Sequence, residues 1–203
     1  IQGRVPPDIP PYVFGGWLFD ATPESQLQLQ ELCVGIIAQL HQIKQKYPDT
    51  DFLEFHTKGD TALKRHFTNQ KEYYYWVVQD SRQHPVIEQA FDWLESHWPE
   101  ESESVLSWGD ARIGNIMFDS KTLEPVAVLD WEMAGLAPVE VDLGWMIFMH
   151  KFFQVIAEAL EFPGMPKFMT SGDVTSKFTD LTGIVPKNID WFEIYAATRH
   201  AII

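Results

Sequence analysis

The residues able to do chemistry are concentrated in the segment Ser107-Trp108-Gly109-Asp110-Ala111-Arg112-Ile113-Gly114-Asn115-Ile116-Met117-Phe118, followed by Val128-Leu129-Asp130-Trp131-Glu132. Asp110 closes one short apolar run, Asn115 opens the next, and Asp130 closes a third. That order predicts three oxygen donors around a common point, which suits a hard cation such as magnesium held against phosphate. Phosphoryl transfer asks little covalent chemistry of a protein. It needs the metal held by oxygen, the nucleophile oriented and the charge of the transferred group neutralised. Asp-x-Arg-x-x-Asn with a separate Asp supplies each part, the guanidinium of Arg112 being permanently charged and forked. An isolated Asp-x-x-x-x-Asn would carry little weight, because both residue types commonly make turns and caps. Here the extended set of Gly109-Asp110, Arg112, Gly114-Asn115 and Asp130-Trp131-Glu132 favours function over coincidence. Glu132 stays open between a substrate contact, a brace and an exposed acid.

The elements that must position these residues are mainly helical. Residues 1–19 hold Pro6, Pro7, Pro10, Pro11, Gly15 and Gly16, and read as an extended connector. Thr22 and Pro23 predict a helix start, and Leu29, Leu32, Cys33, Ile36, Ile37, Leu40 and Ile43 carry its helical period to a stop at Tyr47-Pro48. Asp49 to Asn69 shows no sustained period and reads as a loop. Gln70 to Asp80 reads as an aromatic-rich helix whose Tyr73, Tyr74, Tyr75 and Trp76 cannot all face one core. Pro85 to Trp98 reads as a further helix. Val105 to Trp108, Ile116 to Phe118 and Val126 to Leu129 are short apolar runs bounded by turn residues, the pattern of three strands. After Pro138 the chain returns to helix through Leu160, breaks at Pro163 to Pro166, and ends in helices over Asp173 to Leu181 and from Asn188 onward. The fold class expected is α+β, with residues 20–203 forming a helical body and the catalytic β-loop insertion at 104–132.

Composition narrows the partners. The 203 residues are 45% hydrophobic and 14% aromatic, enough to bury a sizeable core. Fifteen basic against 29 acidic residues give a formal charge of −14, which opposes nucleic acid and anionic membrane surfaces. The lone Cys33 lies in an apolar helical stripe and reads as core, excluding an internal disulfide framework and fitting a reducing, cytoplasmic setting. The most hydrophobic run, Val139 to Leu160, is broken by Glu140, Asp142, His150, Lys151 and Glu158, so no membrane span is expected. The seven histidines show no metal-ligand spacing and none adjoins a nucleophile motif, which disfavours a zinc site or a Ser-His-Asp hydrolase. His41 reads as packed, and Trp17, Trp93, Trp98, Trp145 and Trp191 as core.

Taken in order, Gly109-Asp110, Gly114-Asn115, Asp130-Trp131-Glu132 and Pro138 to Leu143 resemble the string His-Gly-Asp, Gly-Asn, Asp-Trp-Glu and Pro-x-x-x-Asp-Leu. That string belongs to the phosphotransferase family of aminoglycoside phosphotransferases and choline kinases, similar in fold to protein kinases. Leu40-His41 and Gly15-Gly16-Trp17 add to the resemblance, which extends over nearly the whole chain as a C-terminal lobe. It implies Asp110 as the catalytic or orienting carboxylate and Arg112 at the γ-phosphate. It further implies Asn115 and Asp130 as magnesium ligands, Met117 and Leu129 as the apolar floor under the adenine, and Asp142 as a brace of the catalytic loop. The implied cofactors are Mg²⁺ and ATP, or another nucleoside triphosphate, and the implied partner is a small molecule bearing a hydroxyl, such as an aminoglycoside, an amino alcohol or a sugar. Two departures stand out. Trp108 occupies the family's His position, and the phosphate-covering loop, the nucleotide Lys and its paired Glu belong to an N-terminal lobe that would precede Ile1. The chain is therefore expected to hold half of an active site. The other expectations are a kinase-like binding module without turnover and a magnesium-dependent hydrolase.

Overall fold

The computed structural model describes residues 2–43 and 50–203. Helix α1 (Pro23–His41) starts as expected: Thr22 Oγ1 accepts the Ser25 N–H at 3.3 Å and proline occupies the first turn. It buries Leu29, Cys33, Ile36, Ile37 and Leu40. The expected stop at Tyr47-Pro48 lies outside the described residues. Helix α2 (Ala62–Val77) begins well before Gln70, which corrects the loop expected over Asp49 to Asn69. Thr61 caps it by accepting the Lys64 N–H at 3.1 Å, and Leu63, His66, Phe67 and Tyr74 form its buried stripe. Of the aromatic run only Tyr74 is buried, while Tyr73, Tyr75 and Trp76 are exposed. Helix α3 (Pro85–Ser96) buries Ile87, Phe91 and Leu94.

Four strands form two antiparallel ladders, one nested inside the other. The outer pairs β1 (Ser104–Ser107) with β4 (Gly135–Pro138), setting Ser107 opposite Gly135. The inner pairs β2 (Ile116–Phe118) with β3 (Pro125–Val128), setting Ile116 opposite Val128. β4 is a strand beyond the three expected; Gly-Leu-Ala-Pro has no β-branched residue, and only pairing with β1 makes it one. The N-terminal stretch joins the outer edge of β2 through Arg4, whose backbone N–H and C=O both bond Phe118 at 2.8 Å.

Helix α4 (Glu140–Ala159) runs through the centre, followed by α5 (Ser171–Thr182) and α6 (Ile189–Ile202). One core joins α1, α4 and α5 to β1 and the loops at the ladders, and takes in Tyr12, Val13 and Leu18. A second joins α2 and α3 to α6, built on Phe67, Phe91, Trp191 and Tyr195. Cys33 and His41 are buried, His41 edge-on to the Phe178 ring. No helix among the described residues is long and apolar enough to cross a membrane.

Candidate active site

Nesting brings two connections together. Residues 108–115 leave β1 and enter β2, residues 129–134 leave β3 and enter β4, and the registers put both connections at the same end. They are tied by the Leu129 N–H, which donates to the Asn115 carbonyl at 2.8 Å. The Trp108 indole N–H donates to the carbonyls of Leu129 at 2.8 Å and Asp130 at 3.2 Å. Trp108 is fully buried, so the indole braces one loop against the other by hydrogen bonding as well as by packing.

Asp110 lies half-buried in the first connection. Its Oδ2 accepts Asn115 Nδ2 at 2.6 Å and Arg112 Nε at 3.1 Å, and its Oδ1 accepts the Trp145 indole N–H at 2.7 Å. Three donors from different positions thus fix the carboxylate plane. Asn115 Nδ2 also reaches the Asp110 carbonyl at 3.1 Å, so the amide orientation is set and its Oδ1 makes no hydrogen bond among the described residues. Asp130 lies in the second connection in left-handed backbone, φ 56°, with an exposed side chain that neither hydrogen-bonds nor ion-pairs among the described residues.

Arg112 bridges two acids, donating through Nε to Asp110 and through Nη1 to Asp8 at 2.8 Å. Burial works against its charge, but the two carboxylates outweigh it and hold the guanidinium above its usual range. Met117 sits half-buried on β2 opposite Ala127, and Leu129 is exposed just beyond β3. The two expected nucleotide-floor residues therefore lie on the inner ladder and just beyond it.

Asp142, fully buried in the first turn of α4, accepts Ser107 Oγ at 2.8 Å and the backbone N–H groups of Trp108 at 2.8 Å and Gly109 at 2.9 Å. Burial raises its carboxyl above the usual range, opposed by these three donors and by Arg199. Gly109 needs its lack of a side chain: φ is 92°, and a Cβ would lie 2.2 Å from the Met133 carbonyl oxygen. Sequence reasoning missed two residues here. Trp145 is core, as expected, but three residues after Asp142 on one helix it also faces the same loop and bonds Asp110; that spacing was the available signal. Arg199, on α6, is buried and donates to the Gly109 carbonyl at 3.2 Å, with no sequence signal to announce it.

Residues 11–164 match the model of the phosphotransferase enzyme family. The chain belongs to this family. Among curated relatives, acyl-CoA dehydrogenase family member 11 of Pongo abelii is 29% identical over 145 residues, 70% of this chain and 17% of that protein. A Ralstonia eutropha crystal structure assigned to the aminoglycoside phosphotransferases superposes with a TM-score of 0.73 at 20% identity, covering all of this chain and 59% of the other. Streptomyces rimosus aminoglycoside phosphotransferase, in complex with ADP and streptomycin, superposes at 0.52 and 18% identity, covering 98% and 67%. The chain thus spans under a fifth of that curated relative's length, and these two structures carry the fold comparison. The phosphotransferase family membership and the mainly helical, kinase-like α+β fold agree with the expectation from the sequence.

Proposed function

We propose that this chain carries the acceptor- and metal-binding half of an ATP-dependent phosphotransferase acting on a small-molecule hydroxyl. The observation that carries the reading is Asp110, a carboxylate held by three donors in a loop that adjoins Asp130 and Asn115. In this reading Asp110 orients the acceptor O–H and takes its proton as the acceptor oxygen bonds the γ-phosphorus, while the bond from phosphorus to the β-phosphate bridging oxygen breaks and ADP leaves. Asn115 Oδ1 and the Asp130 carboxylate are the two oxygens for magnesium. No group of three or more His, Cys, Asp or Glu that could hold a metal exists among the described residues, so the phosphates and water would complete the shell. Magnesium bound there would neutralise charge on the phosphates. Met117 and Leu129 would meet the adenine, with ATP or another nucleoside triphosphate as donor. The S. rimosus relative's complex with ADP supports nucleotide use. An N-terminal lobe supplying the remaining phosphate contacts belongs to the proposal, as does the division into a connector at 1–19 and a C-lobe at 20–203.

One observation favours a second reading, a kinase-like module that binds without turnover: Arg112, the residue for the γ-phosphate, is engaged by Asp8 and Asp110. Calorimetric titration of Mg-ATP beside steady-state kinetics over a panel of hydroxyl acceptors separates them in the full-length protein. Asp130→Ala should weaken nucleotide binding and turnover together, by tenfold or more, roughly the loss expected of a hard anionic ligand. Asp110→Asn should lower turnover about 100-fold or more with nucleotide affinity little changed. Nucleotide binding with no acceptor turned over by the wild type would establish the module instead.

A further inference from the structure

Arg199 is 1% exposed, and its Nε and Nη1 find no hydrogen-bond partner among the described residues. A buried guanidinium without a paired acid is a costly residue for a helix to carry, and an apolar side chain of similar size would ordinarily serve packing better. Its surroundings point at the catalytic loop. Nη2 donates to the carbonyl of Gly109, the residue before Asp110, at 3.2 Å, while the Gly109 N–H donates to Asp142. The guanidinium carbon lies 4.5 Å from the Trp145 ring centroid, and that indole donates to Asp110 Oδ1 at 2.7 Å. Arg199 therefore touches both supports of Asp110: the peptide on which it is mounted and the ring that holds one of its oxygens. The ionisable groups around it are Tyr195 and His66 from the helical side and Asp142 and Asp110 from the loop side.

We infer that Arg199 is a positioning residue for Asp110, fixing the peptide between Gly109 and Asp110 and clamping the Trp145 indole so that the carboxylate presents one orientation to the acceptor hydroxyl. The inference rests on the reading of Asp110 given above. It accounts for the buried cation: a planar, permanently charged group can donate in its plane to a carbonyl while its face lies on an aromatic ring, which neither Met nor Lys can do.

The test uses the full-length protein, with Arg199→Met, Trp145→Phe and their combination measured for kcat, KM for Mg-ATP and thermal midpoint. Misplacing a catalytic group by a fraction of an ångström lowers rate, not nucleotide affinity. Arg199→Met should therefore lower kcat about 10- to 100-fold with KM for Mg-ATP within roughly twofold. The double variant should lose little more than the worse single one, because both act through the same carboxylate. Unchanged kcat in folded Arg199→Met, an equal loss in nucleotide affinity, or losses that multiply in the double variant would each overturn the inference. Should Arg199→Met not fold, Arg199→Lys enters the same cycle with the same criteria, since it keeps the charge but not the in-plane donor and stacked face. Asp110→Asn runs alongside. If it retains full turnover, the reading of the site falls and this inference with it; if it loses turnover while the Arg199 variants keep theirs, the inference alone fails.

Discussion

His150 shows how burial makes one side chain pH-sensitive. Its Nδ1 accepts the Tyr12 O–H at 2.9 Å and its Nε2–H donates to the Met165 carbonyl at 3.1 Å, so the neutral ring satisfies both neighbours, whereas a protonated ring would force the Tyr12 hydroxyl to turn its proton away and accept instead. Burial pushes its pKa from 6.5 down to about 4, with the Met165 bond opposing. The unfolded chain takes up this proton below about pH 6.5 and the folded chain resists until about pH 4. Stability is therefore fully present above the upper value and is lost on acidification through that window, by on the order of 3 kcal/mol. His66, which shares its Nδ1 with the Tyr195 hydroxyl at 2.6 Å, is shifted in the same direction by burial and by the charge of Arg199. We expect the urea midpoint to fall between pH 7 and pH 4. His150→Gln, which keeps a donor and an acceptor but does not titrate, should show a shallower fall; an identical slope would refute the assignment.

At the level of elements, the first half of helix α2, before Gln70, was hidden because its stripe is sparse. Leu63, His66, Phe67 and Tyr74 keep helical spacing, but Lys64, Arg65, Thr68, Asn69, Gln70, Lys71 and Glu72 dilute it, and a buried histidine does not register as apolar. The N-cap was the better signal. Thr61 accepts the Lys64 N–H and donates to Glu101 Oε1 at 3.0 Å, which in turn receives the Trp98 indole N–H at 2.8 Å. Thr61→Ala should cost about 1 kcal/mol, read as a lowered urea midpoint with unchanged slope. No measurable loss would show that the cap is dispensable once α2 is packed. β4 was unreadable for another reason. Residues 135–138 carry no local strand preference and depend entirely on ladder partners 28 to 34 positions upstream, Ser104 against Pro138 at one end and Ser107 against Gly135 at the other.

The whole molecule turns on the approach of α4 to α6, which carries Asp142 and Trp145 on one side and Arg199 on the other. Gly144 permits it: a Cβ there would lie 2.7 Å from Phe192 Cβ and 2.8 Å from the Phe192 backbone carbon. Gly144→Leu should push the helices apart and cost roughly 3 kcal/mol or more, since packed interiors do not absorb added volume. Thermal unfolding and turnover in the full-length protein check this, with both expected to fall; wild-type stability would show that the helices can separate freely. The sequence by itself determined the family, the mainly helical class, most helix starts and the positions of Asp110, Arg112, Asn115 and Asp130, because caps, prolines, apolar periods and a spaced motif are local in the chain. Trp145 beneath Asp110, Arg199 behind Gly109 and the indole of Trp108 spanning two loops were decided only by the tertiary structure. Each depends on groups 21 to 90 residues apart meeting at hydrogen-bond distance, and no local pattern encodes the packing of α4 against α6 or the nesting of one ladder in another that brings them there.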